Sequence, residues 1–444
     1  MMKKYIAFLL CIVCALSSAG CSGDSGLLAA PDYPKMAPYP DVNDYTAVTG
    51  DVDMQKYLKA EKDYRETLDR QRLYESDCTG LEEYFFATAR EILSDPSEQN
   101  IAYSPVNLYI ALGMLAEVTD GSSRQQILTL LGEEDVETVR MKCKALWNAC
   151  YRDTGATTSI PASSIWLQND YPYHEEVIST LAKDYYASSF SGEMGTEQYS
   201  KALQNWMNDN TGGLLSDASK EIKLSKDTRI ALATTLYFCA GWFDEFSENR
   251  TKNGFFHLAD ESLECDFMHQ SFSRNYYWGD KFSAVKQSFQ AGGGMWFILP
   301  DEGVSVSELI TDSEATAFIL SDGDWDKNKY LTVNLSVPKF DVSSTIDLSA
   351  AMYDLGIKDV FDITVSDFTP LTNEPLYLSE ATHSVRVKID EEGCEAAAFT
   401  VMALAGAAMP PTEEVDFVLD RPFLFVITSD SGMPLFIGVV NRPV

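Results

Sequence analysis

Apolar residues recur along this chain first at helical and later at strand spacing. Leu81, Tyr84, Phe85, Thr88 and Ile92 share one helical face, and Asp95-Pro96 ends that run. Asn100 to Tyr103 reads as a short strand. Ser104-Pro105 then opens a long apolar helix to about Val118, closed by Asp120-Gly121. Further helices are expected over 123–131, 135–152, 173–186 and 196–208, with an alternating strand from Thr157 to Gln168. Residues 230–246 begin with a nearly unbroken apolar run, the pattern of a strand buried on both faces. Residues 254–299 read as short strands with turns, and Gly292-Gly293-Gly294 is a turn before the strand Met295–Leu299. Alternation returns at 330–340, 382–389, 423–428 and 434–440, with one helix at about 347–355. No internal repeat interrupts this order. Helices first and strands later predict an α+β fold with mixed or antiparallel sheets.

Two stretches lack these periods. Residues 22–52 carry Pro31, Pro34, Pro38 and Pro40 among Gly, Ser and Asp, which reads as a tether. Residues 53–76 are strongly charged and helix-prone, an extra helix before the main domain. Ahead of both, Lys3-Lys4, an apolar run from Tyr5 to Leu16 and Ser17-Ser18-Ala19-Gly20-Cys21 describe a secretory signal. The run is too short to span a bilayer. Ala19-Gly20-Cys21 resembles a bacterial lipoprotein box with Cys21 as the lipidated residue; Ser18 departs from the usual leucine. The reading is residues 1–20 as signal, 21–76 as a lipid-anchored linker with the extra helix, and 77–444 as the main domain. The protein is then extracytoplasmic and membrane-anchored, at the outer membrane or cell surface.

The net charge of −33 over 444 residues argues against nucleic acid, because phosphate binding needs clustered Lys and Arg. Nine cysteines form no CxxC pair and no metal-ligand rhythm. Cys143 and Cys150 lie two helical turns apart, about 10 Å, too far for a disulfide. Enzyme motifs are equally scarce: there is no HExxH, no GxSxG and no phosphate-cradling loop around the four histidines His174, His257, His269 and His383. A Cys394 nucleophile served by His383 would need about 35 Å spanned along one extended segment, unless the chain doubles back. No cofactor or metal is implied.

One stretch fits neither loop nor core. From Gly393 to Ala408 the chain is small and apolar, then stops at Pro410-Pro411. Between Cys394 and Thr412 its single charge is Glu395. An exposed loop should be more polar, and a core strand bulkier.

Several motifs in order resemble the serpin family from about Cys78 to Val444. They are Asn100-Ile101-Ala102-Tyr103-Ser104-Pro105 with Ala111–Leu115, Gly121–Ile127, Thr235–Phe238 with Trp242, Val337-Pro338-Lys339-Phe340, Leu348–Phe361, Asp420–Phe425 and Gly432–Gly438. The resemblance implies about nine helices packed on three β-sheets, with an exposed reactive loop. It implies a monomeric suicide inhibitor: a protease cuts the loop, forms an acyl-enzyme, and is trapped as the loop enters the central sheet as a strand.

The resemblance makes Glu391, Glu392, Gly393, Cys394, Glu395, Ala396, Ala397 and Ala398 the hinge, and Ala407-Ala408 the reactive bond, with Ala408-Met409 as the close alternative. A small residue before the cut implies an elastase-like serine protease as partner, and the absence of Lys and Arg argues against trypsin-like ones. Cleavage after Leu404 would shorten the inserted strand by about 10 Å and give substrate behaviour. Ser104, Thr234, Trp242, Lys339 and His383 fall where the family controls sheet opening, with Thr234 in place of the usual asparagine and Lys339 paired to Glu391. Cys394 and Phe399 are departures from the family's usual small hinge residues. Period two puts Cys394, Ala396, Ala398, Thr400, Met402 and Leu404 on an inward, uncharged face, with Glu395 outward. The alternatives are a non-inhibitory member acting as a binding or chaperone module, and an inhibitor of cysteine proteases.

Overall fold

A computed structural model describes residues 26–47, 51–72, 78–94, 99–215, 220, 222–394 and 411–443. The signal segment, Cys21, Glu395, Ala396, Ala397, Ala398, Ala407 and Ala408 lie outside them. In chain order the strands are β1 (Leu27–Ala29), β2 (Ile101–Tyr103), β3 (Arg152–Asp153), β4 (Thr157–Gln168), β5 (Ala187–Gly192), β6 (Ile230–Gly241), β7 (Lys252–His257), β8 (Ser262–Trp278), β9 (Phe282–Ser288), β10 (Gly294–Pro300), β11 (Asn328–Pro338), β12 (Phe340–Asp347), β13 (Leu378–Ile389), β14 (Gly393–Cys394), β15 (Glu414–Val418), β16 (Phe423–Thr428) and β17 (Pro434–Val440). The helices are α1 (Met54–Arg72), α2 (Glu82–Leu93), α3 (Pro105–Val118), α4 (Gly121–Leu131), α5 (Val136–Cys150), α6 (Glu175–Asp184), α7 (Glu197–Asp209), α8 (Val306–Ile310), α9 (Ser313–Ser321) and α10 (Leu348–Asp354).

Among the described residues the strands form two hydrogen-bonded sheets. One has eight strands in the order β1-β5-β4-β6-β14-β13-β12, with β3 added on β4. The other has nine, β15-β11-β8-β9-β10-β16-β17-β2, with β7 on β8. Where three sheets were expected, the 17-residue β8 runs through and joins two of them into one ladder. That strand also replaces part of the run of short strands read from the sequence, because Phe267 to Tyr277 pairs without a break against β11, and Tyr277 and Trp278 go on to pair with β9.

Helix α3 is the spine. Its N-cap is Ser104, whose Oγ accepts the Asn107 N–H, and Pro105 occupies the first turn, where its missing donor costs nothing. Every residue from Pro105 to Val118 is buried, as expected for a helix apolar all round. Gly113 is required where α3 meets α5: a Cβ there would sit 2.4 Å from Cys143 Sγ. Asn107 fastens α3 to the eight-stranded sheet, donating from Nδ2 to the Thr235 carbonyl (2.7 Å) and accepting from Ser163 Oγ (3.3 Å).

Residues 26–46, read from sequence as a tether, are folded onto the domain. The Ser191 N–H donates to the Gly26 carbonyl at 2.7 Å, and β1 pairs antiparallel with β5, Leu27 opposite Phe190. The prolines forbid a helix or ladder but not an extended chain lying along a surface. Tyr33, Met36 and Tyr39 recur every third residue, the period of a polyproline-like chain. Tyr33 packs against Trp147 and Tyr151, ring centroids 5.0 and 5.6 Å apart. The Asp153 N–H reaches Met36 Sδ at 3.2 Å, and the Tyr39 N–H donates to the Thr154 carbonyl at 2.8 Å. Helix α1 occupies most of 53–76; its Tyr64 is buried and meets Tyr39 edge-on at 5.4 Å.

Candidate functional site

The site is the seam between β6 and β13, the two central strands of the eight-stranded sheet. At its base the strands pair directly and in parallel, from Leu378 opposite Ile230 to Val385 opposite Leu236. Beyond Val385 they part. Strand β13 continues to Ile389, turns over residues 390–393, and returns as β14 in the gap. There Cys394 pairs with Ile389 on one side and Ala240 on the other, and Gly393 with Gly241. The top of the seam is a fork with a two-residue wedge in it.

The wedge is held by turn chemistry. Asp390 Oδ1 accepts the N–H groups of Glu392 (3.0 Å) and Gly393 (3.2 Å), an Asx turn. The Asp390 N–H donates to the Gly393 carbonyl at 3.0 Å. Gly393 has no room for a side chain, since a Cβ would lie 2.3 Å from the Ala240 carbonyl oxygen. Cys394 is 1% exposed and joins the main hydrophobic core, so it points inward with Phe238 and Ala240.

Trp242 closes the fork. Its indole Nε1–H donates to the Asp390 carbonyl (2.9 Å) and its backbone N–H to the Glu392 carbonyl (2.9 Å). Its ring stacks on Phe289 at 5.0 Å. Glu391 is buried beside Lys339 Nζ (2.7 Å) and accepts from Thr251 Oγ1 (2.6 Å). Burial alone would raise the Glu391 carboxyl, but these two donors outweigh it and hold it below the usual glutamate range.

Below the fork, His383 is fully buried. The Ser104 N–H donates to its Nε2 at 2.9 Å. The neutral ring therefore carries its proton on Nδ1, which lies 2.7 Å from Thr234 Oγ1 and donates to it. Burial pushes the imidazole down to about 3, so it stays neutral. Ser104 thus takes part through its backbone, its hydroxyl being committed to capping α3. Thr234 fills the place where the resemblance led one to expect asparagine, and it bridges β6 to β13 across the seam.

The structure brings Ser104, Thr234 and His383 together in one cluster, and Lys339, Trp242 and Glu391 in another. It does not bring Cys394 to His383: the chain does double back, yet Ile389, opposite Cys394, is still six residues from His383, about 20 Å along β13. Three contributors were missed in the sequence: Asn107, Thr251 and Asp390. Only Asp390 carried a local signal, the Asp-x-x-Gly turn that ends β13. Among the described residues no cluster of His, Cys, Asp and Glu is arranged to hold a metal ion.

Comparison with known proteins agrees with this architecture. The family model described as "Serpin (serine protease inhibitor)" matches residues 80–443. Serpin-Z2A of Triticum aestivum is 28% identical over 378 residues, covering 81% of this chain and 94% of that protein. An uncharacterized serpin-like protein of Methanosarcina acetivorans is 25% identical, covering 79% and 84%. Among solved structures, the thermophilic serpin tengpin in its native state superposes with a TM-score of 0.71 at 23% identity, covering 81% of this chain and 92% of that one. Human thyroxine-binding globulin, solved with its hormone, gives 0.72 at 21% identity, covering 85% and 100%. The family consists mostly of protease inhibitors and includes non-inhibitory members. A central sheet with a two-residue strand lodged at its top agrees with that match, which spans residues 80–443 and most of the chain: the protein belongs to the serpin family.

Proposed function

We propose that this serpin is a covalent-trap inhibitor of elastase-like serine proteases, anchored to a membrane through a lipidated Cys21. The observation that carries the inhibitory reading is the wedge: Gly393 and Cys394 already occupy the slot between β6 and β13 that an entering strand must take. Strand addition is the established use of such a slot in this family.

The register of the wedge can be continued. With Cys394 opposite Ala240 and Ile389, each later even residue would face two positions lower on β6 and β13. Ala396 would meet Phe238 and Val387, Ala398 would meet Leu236 and Val385, and Leu404 would meet Ile230, where β13 slips by one residue at Ser379. Residues opposite each other share a face, and Phe238, Leu236 and Ile230 all point into the main core. Small uncharged residues suit that face, while Glu395 would fall level with the half-exposed Cys239. Thr400 would arrive between Thr234 and His383, opposite both. Its hydroxyl could then replace the bond between them that entry must break.

Specificity would come from Ala407-Ala408. A small residue before the cut suits a shallow apolar pocket. The test is to mix the purified protein with an elastase and run a denaturing gel. A complex stable to denaturation, with a cleaved form of much raised melting temperature, is the expected result. Cleavage with no complex would sink the inhibitory reading and favour a non-inhibitory member.

A further inference from the structure

The folded arm has a geometric consequence for an anchored protein. The Gly26 carbonyl bonds to Ser191, Ser191 lies opposite Leu167, and Leu167 lies opposite Ile230. This row crosses the base of the eight-stranded sheet. The hinge at Gly393 lies opposite Gly241, eleven residues further along β6, or about 36 Å away. The arm thus enters at the pole opposite Gly393 and Cys394. Only four residues separate Cys21 from Gly26, and the five extended steps between them reach at most about 18 Å. Leu27 and Leu28, the first residues after that span, are 52% and 47% exposed. They are two adjacent large apolar side chains on the edge strand β1, where an unpaired edge would normally carry charge.

Resting on the reading of Cys21 as lipidated, we infer that the base of the central sheet is a bilayer-contacting pole, with Leu27 and Leu28 seated in the lipid interface. The top of the seam, with Gly393 and Cys394, then faces away from the membrane. The partner is a lipid bilayer reached by acyl insertion and apolar contact rather than by charge, since the chain carries −33 net and would be repelled by anionic headgroups.

The experiment uses the full-length acylated protein in phosphatidylcholine vesicles, in a Cys239→Ala background that removes the half-exposed thiol. A nitroxide is placed at Leu28→Cys or, near the sheet top, at Phe243→Cys, which replaces a 46% exposed side chain. The expected result is that the residue 28 label collides several-fold more with lipid-soluble oxygen than with an aqueous nickel chelate, and the residue 243 label the reverse. Inserting a twelve-residue Gly-Ser spacer between Cys21 and Gly26 should abolish the difference while leaving acylation intact. An acylated protein whose residue 28 is as water-exposed as residue 243 overturns the contact and leaves the anchor standing. A protein with no acyl group on Cys21, by mass, overturns both.

Discussion

The two halves of the β6–β13 seam are closed by different means. The base is zipped by backbone pairing from Leu378 to Val385 and bolted by a neutral histidine that no solvent reaches. The top is held by a side-chain latch, Lys339–Glu391, and by an Asx turn that folds the hinge back into the gap. Lys339 is 39% exposed in its side chain, so this latch is partly screened. If the sheet opens as proposed, the contrast makes that opening polarised: the top is already parted, and the buried cluster sets the cost of going further.

The largest effect should come from the stretch that must pass the bolt. Ala398→Arg would carry a charge onto the core face, at a cost of several kcal/mol. The covalent complex on a denaturing gel should fall at least tenfold, with cleavage retained; an undiminished yield would show that the even residues do not enter. Gly393→Leu comes next. With 2.3 Å to the Ala240 oxygen, the wedge must leave the fork, at about 1–3 kcal/mol. A melting temperature several degrees lower is expected, and an unchanged one would contradict the wedge.

His383→Phe strands the Ser104 N–H and the Thr234 hydroxyl, each at about 1–3 kcal/mol. On warming, this variant should convert to a non-inhibitory form faster than the parent, measured as loss of active fraction with time. The same histidine gives a pH signature. Its folded value, about 3, lies below the ordinary 6.5, so the unfolded chain takes up a proton that the folded chain refuses. Its contribution is complete above about 6.5 and is lost as pH falls towards 3, at up to about 1.4 kcal/mol per unit. The parent's denaturation midpoint should therefore fall more steeply below pH 6.5 than that of His383→Phe; parallel profiles would disprove the assignment. The smallest effect belongs to Lys339→Met, about 1 kcal/mol or less for a part-exposed pair, read as a slight drop in melting temperature.

Most of the seam was legible in the sequence because its signals are local or in fixed order. The Ser104-Pro105 cap, the apolar run of β6 and the alternation of β13 each announce an element. The positions of Ser104, Thr234 and His383 came from family order, not from any period. What could not be read was partnership over long separations. Nothing near Thr251 in the chain points to Glu391, and nothing near Asn107 points to the Thr235 carbonyl. The arm was misjudged for another reason. Its contacts follow a period of three, while helices and strands announce themselves at 3.6 and 2, so Tyr33, Met36 and Tyr39 passed as a tether among prolines.

Under the proposed trap and lipid anchor, that arm also limits the clearance available for capture. Continuing the wedge register, the cut end of the loop would travel the length of β6 and arrive beyond Ile230, level with Gly26. A trapped protease would then be delivered to the pole that the proposed leash would hold near the bilayer. A leash of about 18 Å leaves no berth for a second globular domain. Capture on the membrane would require residues 26–46 to peel from β5 and α5, exchanging a fixed mooring for a long one. Complex formation on vesicles should then make the arm newly sensitive to proteolysis between Tyr33 and Tyr39, while the unreacted protein stays resistant there.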